Sequence, residues 1–149
     1  AAAQPPPEWY RQAQKFVACT TRPCILVAWE ALKGVRGMEC TECILSANDA
    51  WYELYEYQEA QVVNRSFSSI SGFEGPLTSS SSMLRLSSLV LSEESCVERL
   101  QLVSYTARSR TPIRTILRVD LFKQSGRNMA FACTVAAHTA LGGGGGSVG

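Results

Sequence analysis

The sequence predicts an α+β domain: a five-stranded antiparallel sheet with short helices on one face and a flanking helix at the N-terminus. Three observations carry that prediction. An amphipathic stretch precedes two short apolar runs, the middle of the chain has helical spacing, and the last third turns to period-two alternation. Two strands, then helices, then three consecutive strands make a single antiparallel sheet covered by helices, not an alternating parallel one.

Residues 1–7, A-A-A-Q-P-P-P, form an extended or polyproline-like lead. Over residues 8–17, Trp9, Ala13, Phe16 and Val17 recur at helical spacing, which predicts a short amphipathic helix. Pro23 can stand only at the start of a strand, so residues 24–29, C-I-L-V-A-W, read as a buried strand beginning there. Residues 33–39, with two glycines, read as a loop, and residues 40–47 as a second strand antiparallel to the first. Asn48 and Asp49 offer a helix N-cap. The segment after them holds Trp51, Leu54, Tyr55, Val62 and Val63 for one or two short helices. A Ser-rich run at 78–82 is able to cap a further helix over residues 83–91.

After Glu93 and Glu94, alternation places Val97, Arg99, Gln101, Val103 and Tyr105 on one face of a strand. Glu98, Leu100, Leu102 and Ser104 fall on the other. Residues 113–122 and 128–137 read as two more strands, joined across Gln124, Ser125, Gly126 and Arg127. The glycine-rich end is a flexible tail. The chain thus divides into a lead and flanking helix (1–22), the domain proper (23–139) and the tail (140–149).

A net charge of +1 gives no electrostatic footprint for nucleic acid or an anionic membrane. No apolar run reaches the roughly 20 residues that span a bilayer. The first residues lack the basic and apolar regions of a signal peptide. A cytoplasmic or nuclear protein is expected, with its six cysteines reduced.

From Val62 the chain reads V-V-N-R-S-F-S-S-I-S-G-F-E-G-P-L-T. This resembles the flavin-binding loop and helix of LOV domains, the blue-light branch of the PAS superfamily, which typically read V-x-G-R-N-C-R-F-L-Q-G-P-E-T. Arg65, Ile70, Gly72, Pro76 and Thr78 match once Phe73 and Glu74 are taken as an insertion. Upstream, I-L-S-A-N-D-A-W-Y-E-L-Y-E-Y resembles the PAS phrase I-x-Y-A-N-x-A-F-x-x-L-x-G-Y, with Asn48, Ala50, Trp51, Leu54 and Tyr57 in place. Downstream, V-S-Y-T-A-R-S-R-T-P-I-R-T-I-L-R-V resembles the family's L-N-Y-R-K-D-G-T-P-F-W-N-x-L-x-V with one extra residue. The resemblance covers about residues 23–139 and implies a PAS fold.

The departures shape the expected function. The photoreactive cysteine position falls on Phe67, whose ring forms no thiol adduct. The positions of the family's flavin-contacting amides fall on Ser66, Ser71, Ser104, Thr115 and, in the last strand, near Val135; the phosphate-pairing arginine falls on Ser68. A hydroxyl replaces one hydrogen bond of an amide, not both. Each flavin polar atom left unpaired costs about 1–3 kcal/mol. The resemblance with these losses implies that no cofactor is bound, FMN included. Haem is not expected either, because the helix over 83–91 carries no histidine and the sole histidine, His138, reads as an exposed strand-end residue.

Other constellations have ordinary readings. Cys40 and Cys43 form a C-x-x-C with Cys19 and Cys24 upstream, but antiparallel pairing sets Cys24 and Cys40 about 20 Å apart, too far for one zinc ion. Structural thiols are expected, a redox-sensing pair being the alternative. The run W-Y-E-L-Y-E-Y is expected to pack in the core, the alternative being a small-molecule cage. Arg108, Arg110, Arg114 and Arg118 are expected to form a solvated strand edge or, alternatively, a partner-facing stripe. No nucleophile–base–acid set and no phosphate-cradling loop is present, so no enzyme and no metal site is expected.

The expected function is a non-photoactive signalling and interaction module that homodimerises or heterodimerises through the sheet face and N-terminal helix. Its effector would lie outside this chain. The candidate interface is Trp9, Ala13, Phe16, Leu102, Leu117, Val119 and Leu121, the helix lying across the sheet in cis or across a neighbour's in trans. The alternative is a sensor for a small, mainly apolar ligand in the former flavin pocket. Candidate pocket residues are Ser66, Phe67, Ile70, Leu86, Val103, Ser104, Thr115 and Val135.

Overall fold

A computed structural model describes residues 6–29, 42–67 and 88–141. Helix α1 spans Glu8–Cys19, two residues longer than its spacing predicts. Strands β1 (Cys24–Ala28) and β2 (Cys43–Ala47) come next, then the short helices α2 (Asp49–Tyr55) and α3 (Glu59–Val62). A 3-10 turn at Leu89–Leu91 leads into β3 (Cys96–Tyr105), β4 (Pro112–Gln124) and β5 (Arg127–Ala140). The five strands form one sheet in the order β2-β1-β5-β4-β3, antiparallel at every pairing. The expected sheet is therefore present. The loop at 33–39, residue Cys40, the Ser-rich run and most of the helix expected over 83–91 lie outside the described residues.

Side-chain alternation divides the sheet into two apolar layers. Toward α2 and α3, Ile25, Val27, Leu100, Leu102, Leu117, Val119, Leu121, Phe131, Cys133 and Val135 pack with Trp51, Tyr55, Val62 and Phe67. On the opposite face, Cys24, Leu26, Ala28, Leu45, Ala130 and Ala132 pack under Trp9, Ala13 and Val17 of α1. β1 is buried on both sides, which is why its sequence is a continuous apolar run with no alternation. The flanking helix lies on its own sheet, in cis.

The turns obey local chemistry. Ser125 and Gly126, at φ 52° and 79°, close a two-residue β4–β5 hairpin with both central residues left-handed. Arg99, at φ 62°, marks a bulge where β3 slips one residue between Val97 and Leu100. That bulge corrects the simple alternation expected for β3: Val97 joins Leu100 and Leu102 on the core face instead of opposing them. A second correction concerns the arginines. β4 is flanked on both sides, by β5 and β3, so Arg114 and Arg118 occupy an interior strand and not an edge. Arg118 is exposed and pairs with Glu98 at 3.7 Å and Asp120 at 3.3 Å. No helix among the described residues is long and apolar enough to cross a membrane.

Candidate functional site

The end of β2, the cap of α2 and the exit of α1 meet at one side chain. Asn48 is the N-cap of α2: its Oδ1 accepts the backbone N–H of Trp51 at 3.0 Å. The same oxygen accepts from the N–H of Cys24 at 3.1 Å. Its Nδ2 donates to the carbonyls of Thr20 at 2.9 Å and Arg22 at 2.7 Å. Both lone pairs and both N–H groups of the amide are thereby used, which no hydroxyl or carboxylate could reproduce. The cap sets the start of α2 and directs Trp51 into the core. There its ring stacks on Tyr55 at 4.6 Å, with Tyr57 5.9 Å away on a near-parallel plane. The aromatic run is thus core packing with a half-buried rim.

Phe67 is placed by the edge of β2. Ile44 N–H donates to the Arg65 carbonyl, Asn64 N–H to the Ile44 carbonyl, and Phe67 N–H to the Glu42 carbonyl, the last at 2.8 Å. This short pairing carries Phe67 beneath the sheet, where it is 4% exposed and meets Phe131 edge-on at 6.1 Å. Beside it lies the core cavity, lined by Ile25, Trp51, Tyr55, Phe67, Ser104 and Val135, with Leu102, Leu117 and Cys133 completing the wall. Its volume is about 10 Å³, close to the smallest space that holds one water.

The expected pocket residues are only partly brought together. Phe67, Ser104 and Val135 line the cavity. Thr115 is fully buried beside it, with its hydroxyl donating to the Leu102 carbonyl at 3.1 Å and hydrogen-bonded with Tyr55. Ser66 is half-buried against β2, bridged to Cys43, and does not line the cavity. Val103 points to the other face of the sheet, because its neighbours Leu102 and Ser104 both face the cavity. Ile70 and Leu86 lie outside the described residues. Ser104 is 1% exposed, and its hydroxyl has no hydrogen-bond partner among the described residues.

The interface residues need a larger correction. Leu102, Leu117, Val119 and Leu121 belong to the layer beneath α2, not to the outward face. In β4 the odd-numbered residues from 113 to 121 are buried, and Arg114, Ile116, Arg118 and Asp120 alternate with them on the outward face. Trp9 and Ala13 are already buried against the chain's own sheet, and Phe16 meets Phe122 edge-on at 5.6 Å. Beyond the cover of α1, the outward face of β3 and β4 presents Gln101, Arg114 and Arg118, with Ile116 half-buried and Val103 buried among them. Among these, Val103 pairs with Arg114, and Gln101 with Ile116.

Ionisable groups are set for structure. Burial pushes the Cys24 thiol up to about 11, and Cys133 is likewise raised by burial, so both stay protonated and unreactive. No group of three or more His, Cys, Asp or Glu side chains among the described residues could hold a metal ion. Glu56 caps the β3–β4 hairpin from outside. Its Oε1 accepts from the N–H groups of Arg108 at 3.1 Å and Ser109 at 2.8 Å and from the Ser109 hydroxyl at 3.0 Å. Those donors, the Ser109 N–H first, hold its carboxyl below the usual range.

Asn128 is a structural residue that pattern reading misses. Its Nδ2 donates to the carbonyls of Leu89, Val90 and Ser92 at 2.9, 3.2 and 2.7 Å, tying the 3-10 turn to β5. A buried asparagine at the start of a strand is the available signal, since it needs partners there.

Among solved structures, the chain is similar to the LOV protein of Rhodobacter sphaeroides, with a TM-score of 0.64 and 12% identity over 93% of this chain and 69% of that one. It is also similar to the LOV domain of the Erythrobacter litoralis blue-light-activated histidine kinase. There the TM-score is 0.58 and the identity 14%, over 83% of this chain and 99% of that one. No family model and no curated protein matches the chain. The likeness is one of fold: the architecture is that of PAS and LOV domains.

Proposed function

We propose that this domain is a PAS-type signalling module that works by protein contact, without a bound flavin. The observation that carries this reading is the filled core. Ligand sites run to roughly 300–1,000 Å³, against a cavity of about 10 Å³ walled by Trp51, Tyr55 and Phe67. Among the described residues, no amide side chain lines that cavity to match the donor–acceptor edge of an isoalloxazine. The described residues therefore do not fit the group.

What the fold offers instead is a surface. The outward face of β3 and β4 sets the half-buried Ile116 among Gln101, Arg114 and Arg118, next to a helix that already uses the same sheet as a docking platform. A mixed face of this kind suits a homodimer or a related domain. Size-exclusion chromatography with light scattering tests it, and an absorbance spectrum of the purified protein tests the flavin statement. A flavin band that survives purification would overturn the chromophore-free part.

One observation favours a second reading, a sensor for a small apolar ligand bearing a single hydrogen-bonding group. Ser104 presents a buried, unpartnered hydroxyl to the cavity. Small phenols or alcohols that raise the melting temperature of the native protein, but not of Ser104→Ala, would support it.

A further inference from the structure

We propose that the open edge of β3 between Leu100 and Tyr105 takes up an extended acidic segment of a partner protein as a sixth strand. The inference rests on the contact reading and adds the partner's chemistry and a surface distinct from the outward face.

The sheet ends in β2 on one side and β3 on the other. The β2 edge is covered by the hydrogen bonds that residues 64–67 make to Ile44 and Glu42. β3 has no such cover among the described residues. Two contacts fix which way its backbone groups point. The Leu102 carbonyl accepts from the Thr115 hydroxyl at 3.1 Å, and Thr106 N–H donates to the Thr111 carbonyl at 3.0 Å. The even-numbered residues of upper β3 therefore face β4, and the odd-numbered ones turn their N–H and C=O groups outward. Ala107 shows where such a group goes when a partner exists: its N–H donates to the Tyr55 carbonyl at 2.9 Å. For Gln101, Val103 and Tyr105 no partner stands at the edge among the described residues. Val103 is only 8% exposed, so its backbone groups have little water to bond in place of a strand.

Open edges are normally blunted by bulges, prolines or charges. The lower part of β3 is blunted in this way, by the bulge at Arg99 beside Glu98. Residues 100–105, L-Q-L-V-S-Y, hold no charge, proline or glycine. They run in regular register with β4, and Gln101 to Tyr105 spans about 13 Å of free edge.

Arginines frame that stretch. Arg99 stands at its lower end, Arg108 and Arg110 in the hairpin at its upper end, and Arg114 opposite Val103. All four are exposed. None has a carboxylate in ion-pair reach among the described residues, in contrast to Arg118. Glu56, which touches the hairpin, is already engaged by the Arg108 and Ser109 N–H groups. The Arg110 guanidinium lies 5.6 Å over the Tyr105 ring, which fixes a cation at the end of the edge. The segment that fits has β-branched residues where it pairs and carboxylates at its ends. Backbone pairing supplies affinity, and the arginines select for acid.

The test titrates isotope-labelled protein with the end-blocked peptide E-V-T-V-T-V-E and with K-V-T-V-T-V-K. Amide shifts and slowed hydrogen exchange are expected at Gln101, Val103 and Tyr105, and not at Leu102 and Ser104, which already bond β4. The acidic peptide should bind about tenfold tighter than the basic one at low salt, and the gap should close as salt rises. Gln101→Pro removes one outward N–H and breaks no bond to β4; it should weaken binding about fivefold. Arg99→Glu with Arg108→Glu leaves the strand backbone alone, should remove the preference for acid, and serves if the proline disturbs the fold. Equal binding of both peptides, or shifts without the odd–even pattern, would overturn the proposal. The same holds if the edge amides respond to protein concentration in place of peptide, because β3 would then pair with a second copy. No response to millimolar peptide in a protein that still dimerises by light scattering overturns strand addition alone. A monomer with no response overturns the contact reading as well.

Discussion

Replacing Phe67 by alanine puts the filled core to a quantitative test. The side chain is 4% exposed, lies against Phe131 and closes one wall of the cavity. Truncating a buried phenylalanine costs about 3–5 kcal/mol through lost transfer energy and the void left behind. The edge-on partner Phe131 places this site toward the upper half, because aromatic pairs add about 0.5–1.5 kcal/mol. For a domain of this size each kcal/mol lowers the melting temperature by roughly 2–4 °C, so a fall of about 8–20 °C is expected. Urea unfolding monitored by tryptophan fluorescence measures the same loss, and an unchanged slope would show that stability alone moved. The enlarged void is lined by apolar and aromatic groups, so benzene or indole should restore part of the lost stability in the variant and none in wild type. A loss under about 1 kcal/mol, or equal stabilisation of both proteins, would refute the placement of Phe67 in the wall.

Three other residues give outcomes of their own. Arg99→Gly should stabilise the protein by about 0.5–1 kcal/mol, because glycine accepts the left-handed bulge at no steric cost; a destabilised variant in thermal melts would contradict the bulge. Asn128→Leu takes the amide donor from the Leu89 and Val90 carbonyls and leaves the Ser92 carbonyl with Lys123 Nζ at 3.1 Å; it should cost about 1–3 kcal/mol, with amide exchange accelerating first around residues 89–92. The Glu56 latch has a signed pH dependence. Its folded pKa is depressed, so its contribution is present at neutral pH and is lost as the pH falls through that depressed value. The Ser109 amide shift should therefore titrate below the ordinary glutamate range of about 4.3, and a midpoint at or above that range would refute the latch.

The sheet, its strand count and the Asn48 cap are legible in the sequence because each rests on local rules. Apolar alternation, an N-cap residue before an apolar helix and a Ser-Gly hairpin all act over a few residues. What escapes is phase. A single left-handed residue, Arg99, reverses which side chains of β3 face the core, and nothing in the alternation announces it. The interface candidates fail for a related reason: Leu117, Val119 and Leu121 are apolar like any surface patch, and only the topology reveals that they face the buried core layer. The arginine stripe reads as an edge in the sequence because strand order is a long-range property, set by β5 inserting between β1 and β4. Asn128 is invisible to local patterns because its partners lie more than 30 residues upstream.

Whether this fold acts through contact at the outward face of its sheet is decided by light scattering across a concentration series, comparing wild type with Ile116→Asp. Ile116 lies on that face, half-buried and away from the core, so the substitution leaves the fold intact. Contact through this face predicts a wild-type mass that rises from monomer to dimer with concentration and a variant that stays monomeric. A wild type that remains monomeric throughout, or a variant that dimerises equally well, would contradict it.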